Sequence, residues 1–259
     1  MNLRNYMIAT ALIVIASTNG NAHDGRRLEV VVENDQIFAQ GYLFSANGNP
    51  VDDGGGIQRD YFNAIHSHFT PVGNTGLYNN VTGFDLIDAE PFEGSDLVLT
   101  LLGAGKWANP PAQDGTLLAQ DFGTPQLSPL DANENIEVFF GSAVDPVATT
   151  DTLGSFNLID SVSGPVTDID LLPLIDFDPS GSLYFLEWTL STTNPLIADS
   201  GSIYTILSPP GDNPVDRFHF QSLALERSLG FNASAIPEPS SLVALLLSGT
   251  SLTLIRRKR

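Results

Sequence analysis

The sequence predicts an all-β fold: an antiparallel β-sandwich, jelly-roll-like, with one short C-terminal helix. Three observations predict it. Apolar or alternating runs of strand length recur along the chain, with Gly, Pro, Asn and Asp between them. One late segment alone carries both the start and the stop signals of a helix. The chain has no cysteine, so its stability must come from a buried core, and a domain of about 200 residues can supply one without disulfide staples.

Taken in order, Leu28 to Val32 and Ile37 to Phe44 read as a first strand pair around the turn Glu33-Asn34-Asp35. Asn47 to Gly56 is a loop by composition. Phe62 to Phe69 mixes apolar and polar residues, and Val81 to Ile87 reads as a further strand. Leu97 to Leu102 has the continuous apolar character of a buried strand ending at Gly103. Ile136 to Phe140, Gly154 to Ile159, Leu183 to Leu190 and Ser202 to Leu207 complete the set. Strands so spaced suit a sandwich. The helix begins near Asn213, a capping residue, with Pro214 at its first position and Asp216 facing the positive end of the dipole. Gly230 sits where a C-cap glycine belongs. No internal repeat or long linker divides the chain, so one domain is expected.

Both ends read as addresses. Arg4 supplies a positive start, and Met7 to Ala16 is apolar apart from Thr10. Small residues up to Ala22 then offer a cleavage site before His23, so residues 1–22 are expected to be a signal peptide. At the other end Pro237-Glu238-Pro239 precedes an apolar run, Leu242 to Ile255, and the basic cluster Arg256-Arg257-Lys258-Arg259. As a helix that run would span about 21 Å, short of the ~30 Å hydrocarbon core. With Ser240, Ser241 and snorkelling arginines it makes a marginal, transient span.

Residues 236–259 resemble the PEP-CTERM sorting signal of Gram-negative bacteria, in the tripeptide, the Leu/Ala/Gly/Ser-rich segment and the basic end. The resemblance implies recognition by an exosortase-type sorting protease and delivery to the cell surface or outside the cell. It also implies transient anchoring in the inner membrane before processing. Proteins with such tails often accompany exopolysaccharide or biofilm systems, which makes extracellular polysaccharide an expected partner.

Between the two addresses lies an exported domain, residues 23–235. It retains six of the 11 basic residues and 29 of the 30 acidic ones. Such acidity argues against nucleic acid, whose binding needs Lys and Arg on phosphate, and against anionic lipid. It favours solubility and divalent cations. The missing cysteine excludes thiol nucleophiles, iron–sulfur clusters and thiolate zinc sites.

Three constellations bear on chemistry. Asp176, Asp178 and Ser180, with Gly181 and then Glu187, match the oxygen-ligand spacing of an EF-hand calcium loop. The flanks depart from that motif: Pro173 interrupts the incoming segment, and Leu183 to Leu190 is strand-like, so an acidic turn between two strands is the competing reading. Asp131, Asn133 and Asn135 are a weaker version without the glycine.

The second constellation is histidine. Cleavage after Ala22 would place His23 at the N-terminus, where imidazole and free amine can share one metal, as in copper-brace oxygenases. His66 and His68, two apart on a strand, would point to one face. Together the three suit zinc or copper; the competing reading is unrelated histidines. His219, between Phe218 and Phe220, suits a helix face or the core.

The third is carboxylate pairs, too many here to nominate one for glycosidase chemistry. Neither a Gly-x-Ser-x-Gly elbow, a His-Glu-x-x-His motif nor a phosphate-binding glycine loop is present. Trp107, Trp188, Tyr61, Tyr78 and Tyr184 suit core packing better than a sugar platform. No catalytic residue emerges. The expectation is therefore a non-enzymatic structural or binding exoprotein. The alternatives are a transition-metal binder using His23, His66 and His68, or a polysaccharide-binding or polysaccharide-active sandwich.

Overall fold

The computed structural model describes residues 26–43, 63–111, 122–210 and 218–229. The chain opens with a hairpin, β1 (Arg26–Glu33) and β2 (Gln36–Leu43), paired in register from Glu33 opposite Gln36. Asn34 and Asp35 both have positive φ, 51° and 60°. Two such residues make the turn whose twist matches the flanking strands, and Asn and Asp tolerate that conformation best after glycine.

Then come β3 (Ala64–His68), β4 (Thr70–Pro71), β5 (Tyr78–Asn79) and β6 (Thr82–Leu86). A single turn of 3₁₀ helix at Glu90–Phe92 leads to β7 (Leu97–Ala108). The remaining strands are β8 (Leu127–Ser128), β9 (Glu137–Phe140), β10 (Ala148–Thr149), β11 (Ser155–Ile159), β12 (Val166–Ile175), β13 (Ser182–Thr192) and β14 (Ile203–Ser208). Helix α1 (His219–Leu229) follows. The cap residues expected at Asn213, Pro214 and Asp216, and Gly230, lie outside the described residues, as does the Asn47–Gly56 loop.

The strands form two sheets. One runs β10-β9-β12-β6-β1-β2, with β5 beside β12 and β4 beside β5; the other runs β11-β7-β13-β14-β3, with β8 beside β7. Their facing sides share one apolar cluster. Leu28, Val30, Phe84, Leu86, Val138, Ile169 and Leu171 come from the first sheet, and Ile65, Leu97, Leu99, Leu186, Trp188 and Leu190 from the second. The arrangement is sandwich-like.

The expected antiparallel pairing needs correction, because the sheets are mixed. β1 lies parallel to β6, and β14 lies parallel to β3. Parallel neighbours require long crossover connections rather than hairpins, and nothing in a strand's own residues announces its neighbour's direction.

Besides the two-residue strands β4, β5, β8 and β10, two long elements differ from the sequence reading. β7 continues through Gly103 and Gly105 to Ala108, because β13 pairs with it along its whole length. A Cβ on Gly105 would lie 2.6 Å from the Phe185 ring, so glycine there admits the neighbouring aromatic. β12 was not expected at all, since Asp168, Asp170 and Pro173 all disfavour a strand. It accommodates Pro173 where it changes partner. The Pro173 carbonyl accepts from Asn80 N–H at 2.9 Å, so the missing N–H falls on the side where β6 gives way to β5. No helix among the described residues is long and apolar enough to cross a membrane.

Candidate functional site

Helix α1 lies on the outer face of the second sheet, packed against β14 and β3. Leu223, Ala224, Leu225 and Phe218 meet Leu183, Ile206, Trp107 and Phe122 there. Strand alternation divides β3 between two environments. Ile65 and the following Phe69 enter the inter-sheet core, whereas His66 and His68 turn to the helix side. The two rings share one face, as their spacing predicts, with centroids 5.8 Å apart at 79°.

This layer is polar as well as buried. His66 is 0 % exposed and Glu226 2 %, and Nδ1 of His66 stands 2.7 Å from Oε1 of Glu226. The contact ties the imidazole of β3 to the carboxyl group of α1 and fixes the orientation of the ring. Beside the pair, the Ser208 and Ser222 hydroxyls share a hydrogen bond of 2.6 Å, joining β14 to α1. Gln221 reaches from α1 to the Pro111 carbonyl at 3.1 Å. The pair His66–Glu226, 160 positions apart in the chain, was invisible in the sequence; the only local hint was an acid on the same helix as its apolar residues.

Asp176, Asp178 and Ser180 lie in the turn between β12 and β13. Asp178 Oδ1 accepts the Ser180 N–H at 2.9 Å, and Gly181 takes φ 87°. That is an Asx turn closed by a glycine. Glu187 lies up β13, five residues past Ser182, or roughly 16 Å along an extended strand. Its Oε1 accepts from Ser202 Oγ at 2.5 Å and Tyr204 OH at 3.3 Å. The turn and Glu187 are thus not brought together.

The loop holding Asp131, Asn133 and Asn135 is paired with the chain's own cation. Lys106 Nζ donates to Asp131 Oδ2 at 2.7 Å and to Glu134 Oε2 at 2.6 Å, and Tyr184 OH donates to Glu134 Oε1 at 2.9 Å. Burial pulls the Lys106 pKa down, but the hydrogen bonds to Asp131 and Glu134 outweigh it and hold it above its usual value. Burial, reinforced by Glu134, raises the Tyr184 phenol as well. Among the described residues, no group of three or more His, Asp or Glu side chains is arranged to hold a metal ion.

Trp107, Trp188 and Tyr184 are buried, so they pack the core rather than form a sugar platform. His23, the side chain of His219, Tyr61 and the Pro237-Glu238-Pro239 tripeptide lie outside the described residues.

A different feature was not foreseen. A cavity of about 460 Å³ opens at the margin of the sandwich between the end of β9 and the first half of β12. Phe140, Leu158 and Ile169 line it on the core side, and Asp168 and Asp170 stand at its outer rim. On that rim one guanidinium faces three carboxylates: Arg27 Nη2 reaches Asp170 at 2.6 Å and Asp168 at 3.1 Å, and Nε approaches Asp85 at 3.8 Å. Gly83 is required by the close approach of β12, since a Cβ there would sit 2.5 Å from the Ile169 carbonyl oxygen, with Arg27 Nη1 next at 2.7 Å.

No family model matches the chain, and no curated protein does. Two chains of solved structures match. One is the CooA pilin subunit from enterotoxigenic Escherichia coli, similar over 66 % of this chain and 97 % of that one, at 14 % identity and a TM-score of 0.29.

Proposed function

We propose that the chain is an exported cell-surface or matrix protein with a structural or binding role, released to its destination by an exosortase-type sorting protease. The observation that carries this reading is the order of Pro237-Glu238-Pro239, the apolar run Leu242 to Ile255 and the four terminal basic residues. What supports the structural part is that several of the domain's interior ionisable groups are held by neighbouring side chains. Lys106 is bound by Asp131 and Glu134, His66 by Glu226, and Glu187 by Ser202 and Tyr204. Groups so held brace the strands they join.

The test is expression in a Gram-negative host with and without an exosortase-type protease, followed by intact mass of the surface fraction. The expected product lacks the C-terminal apolar run, and Glu238→Ala retains it. A surface form that keeps its tail in the presence of the protease overturns the reading.

A second reading, binding of zinc or copper through His66 and His68, is favoured by one observation. A carboxylate on Nδ1 is the usual orienting partner of a metal-ligating imidazole, and Glu226 stands there at 2.7 Å. Titration calorimetry with zinc and with copper, on the chain and on His66→Ala, decides it. Identical heats for the two proteins remove it.

A further inference from the structure

β12 is half-paired. On one side β6 pairs with Val166 and again with Ile169 to Leu171, across a bulge where Asp168 takes φ 61° and its N–H bonds Asp85 Oδ1. On the other, β9 covers it only from Leu171 to Leu174, because the chain turns away at Gly141, whose φ is 58°. Among the described residues, no strand pairs with the far side of Val166 to Asp170. Backbone direction alternates along a strand. Since the Pro173 carbonyl points toward β5 and β6, the backbone of Asp170 points away from them; the register of Leu171 opposite Phe140 sets its C=O against Gly141 and leaves its N–H toward the gap. The cavity described above lies in that gap.

We propose that this notch binds an extended segment of a partner protein in which apolar and basic residues alternate, added as a strand beside β12. Residues of such a strand face the two sides of the sheet in turn. Those turned inward meet Phe140, Leu158 and Ile169. Those turned outward meet Asp168, 75 % exposed, and Asp170, 50 % exposed, where Arg27 balances only one of three carboxylates. The cavity falls within the range of about 300–1,000 Å³ usual for binding sites. A main-chain bond from the Asp170 N–H would fix the segment and the alternate pockets would supply selectivity, the mode of strand addition at a sheet edge. A second copy of this chain is disfavoured as occupant, because it would bring the same aspartates and a strongly negative domain to the rim. The inference stands apart from the sorting signal and survives its failure.

The experiment uses the full chain and a fluorescein-labelled peptide of four Lys-Val repeats, read by anisotropy, with hydrogen exchange followed at Asp170. The expected result is saturable binding, slowed exchange of the Asp170 amide, and affinity about fivefold weaker in Asp168→Asn. Asparagine tolerates the positive φ of 61° at that position, so the variant keeps the fold. Equal binding of a block peptide with the same composition, Lys₄Val₄, would reduce the effect to bulk charge and overturn the proposal. So would exchange at Asp170 unchanged by bound peptide. An Asp170 amide already protected in the free chain, or concentration-dependent dimers in sedimentation, would show the notch filled by the chain itself and overturn it equally.

Discussion

The two faces of the second sheet bury similar elements by different means. Toward the first sheet, β13 presents Leu186, Trp188 and Leu190, and the space between sheets is filled almost wholly by hydrocarbon. One polar group there is paired: Trp188 Nε1–H donates to Thr205 Oγ1 at 3.0 Å. Toward α1, the same sheet buries His66, Glu226, Ser208, Ser222 and Gln221 among its apolar contacts. The first interface is held by area removed from water, which is insensitive to geometry. The second depends on a few hydrogen bonds whose loss leaves buried polar groups unpaired. The inter-sheet core should therefore tolerate volume-conserving changes, and the helix layer should tolerate only paired ones.

The largest expected effect lies in the core. Trp188→Ala empties a fully buried site, and chemical denaturation should show a loss of about 3–5 kcal/mol. A loss below about 1 kcal/mol would mean that the sheets are not packed through Trp188. Next, Glu226→Ala should cost roughly 3 kcal/mol by leaving His66 buried beside an empty site, whereas His66→Leu with Glu226→Leu together should recover most of it. If the double variant is as damaged as the single one, the pair contributes more than charge compensation.

The third prediction concerns pH. Lys106 and Tyr184 both have folded-state pKa values raised above their unfolded ones. Stability from such groups is complete below the unfolded value, near 10 for each, and is lost as pH rises toward the folded value. Melting temperature should accordingly fall as pH rises above about 10, and Tyr184→Phe should shallow that fall. An unchanged slope in the variant would assign the effect elsewhere. The smallest effect is Ser222→Ala, which removes one hydroxyl bond between α1 and β14. It should cost about 1 kcal/mol and raise amide exchange in α1 before exchange in β13.

Strands with a strong apolar pattern were legible residue by residue. β1, β2, β9, β11, β13 and β14 fall within a residue or two of where alternation and turn residues put them. The turn at Asn34-Asp35 was legible too, because its chemistry is local. β12 was not, since its aspartates look like loop residues until Arg27 is placed beside them from β1. Its proline looks like a break until the change of partner at Pro173 is seen. Of the site residues, the shared face of His66 and His68 followed from a spacing of two, while Glu226 did not.

What the sequence determined by itself is whatever depends on near neighbours. That covers a mostly β chain with one late helix, a cysteine-free interior, an acidic composition and the common face of His66 and His68. Tertiary structure decided what depends on residues far apart in the chain. It set β1 parallel to β6 and β14 parallel to β3, buried Glu226 against His66, gave Lys106 to the acidic loop, and left the far side of Val166–Asp170 without a strand neighbour among the described residues. The physical reason is that strand and turn preferences act over a few residues. Sheet order, ion pairing and an uncovered edge are set by which surfaces close the core.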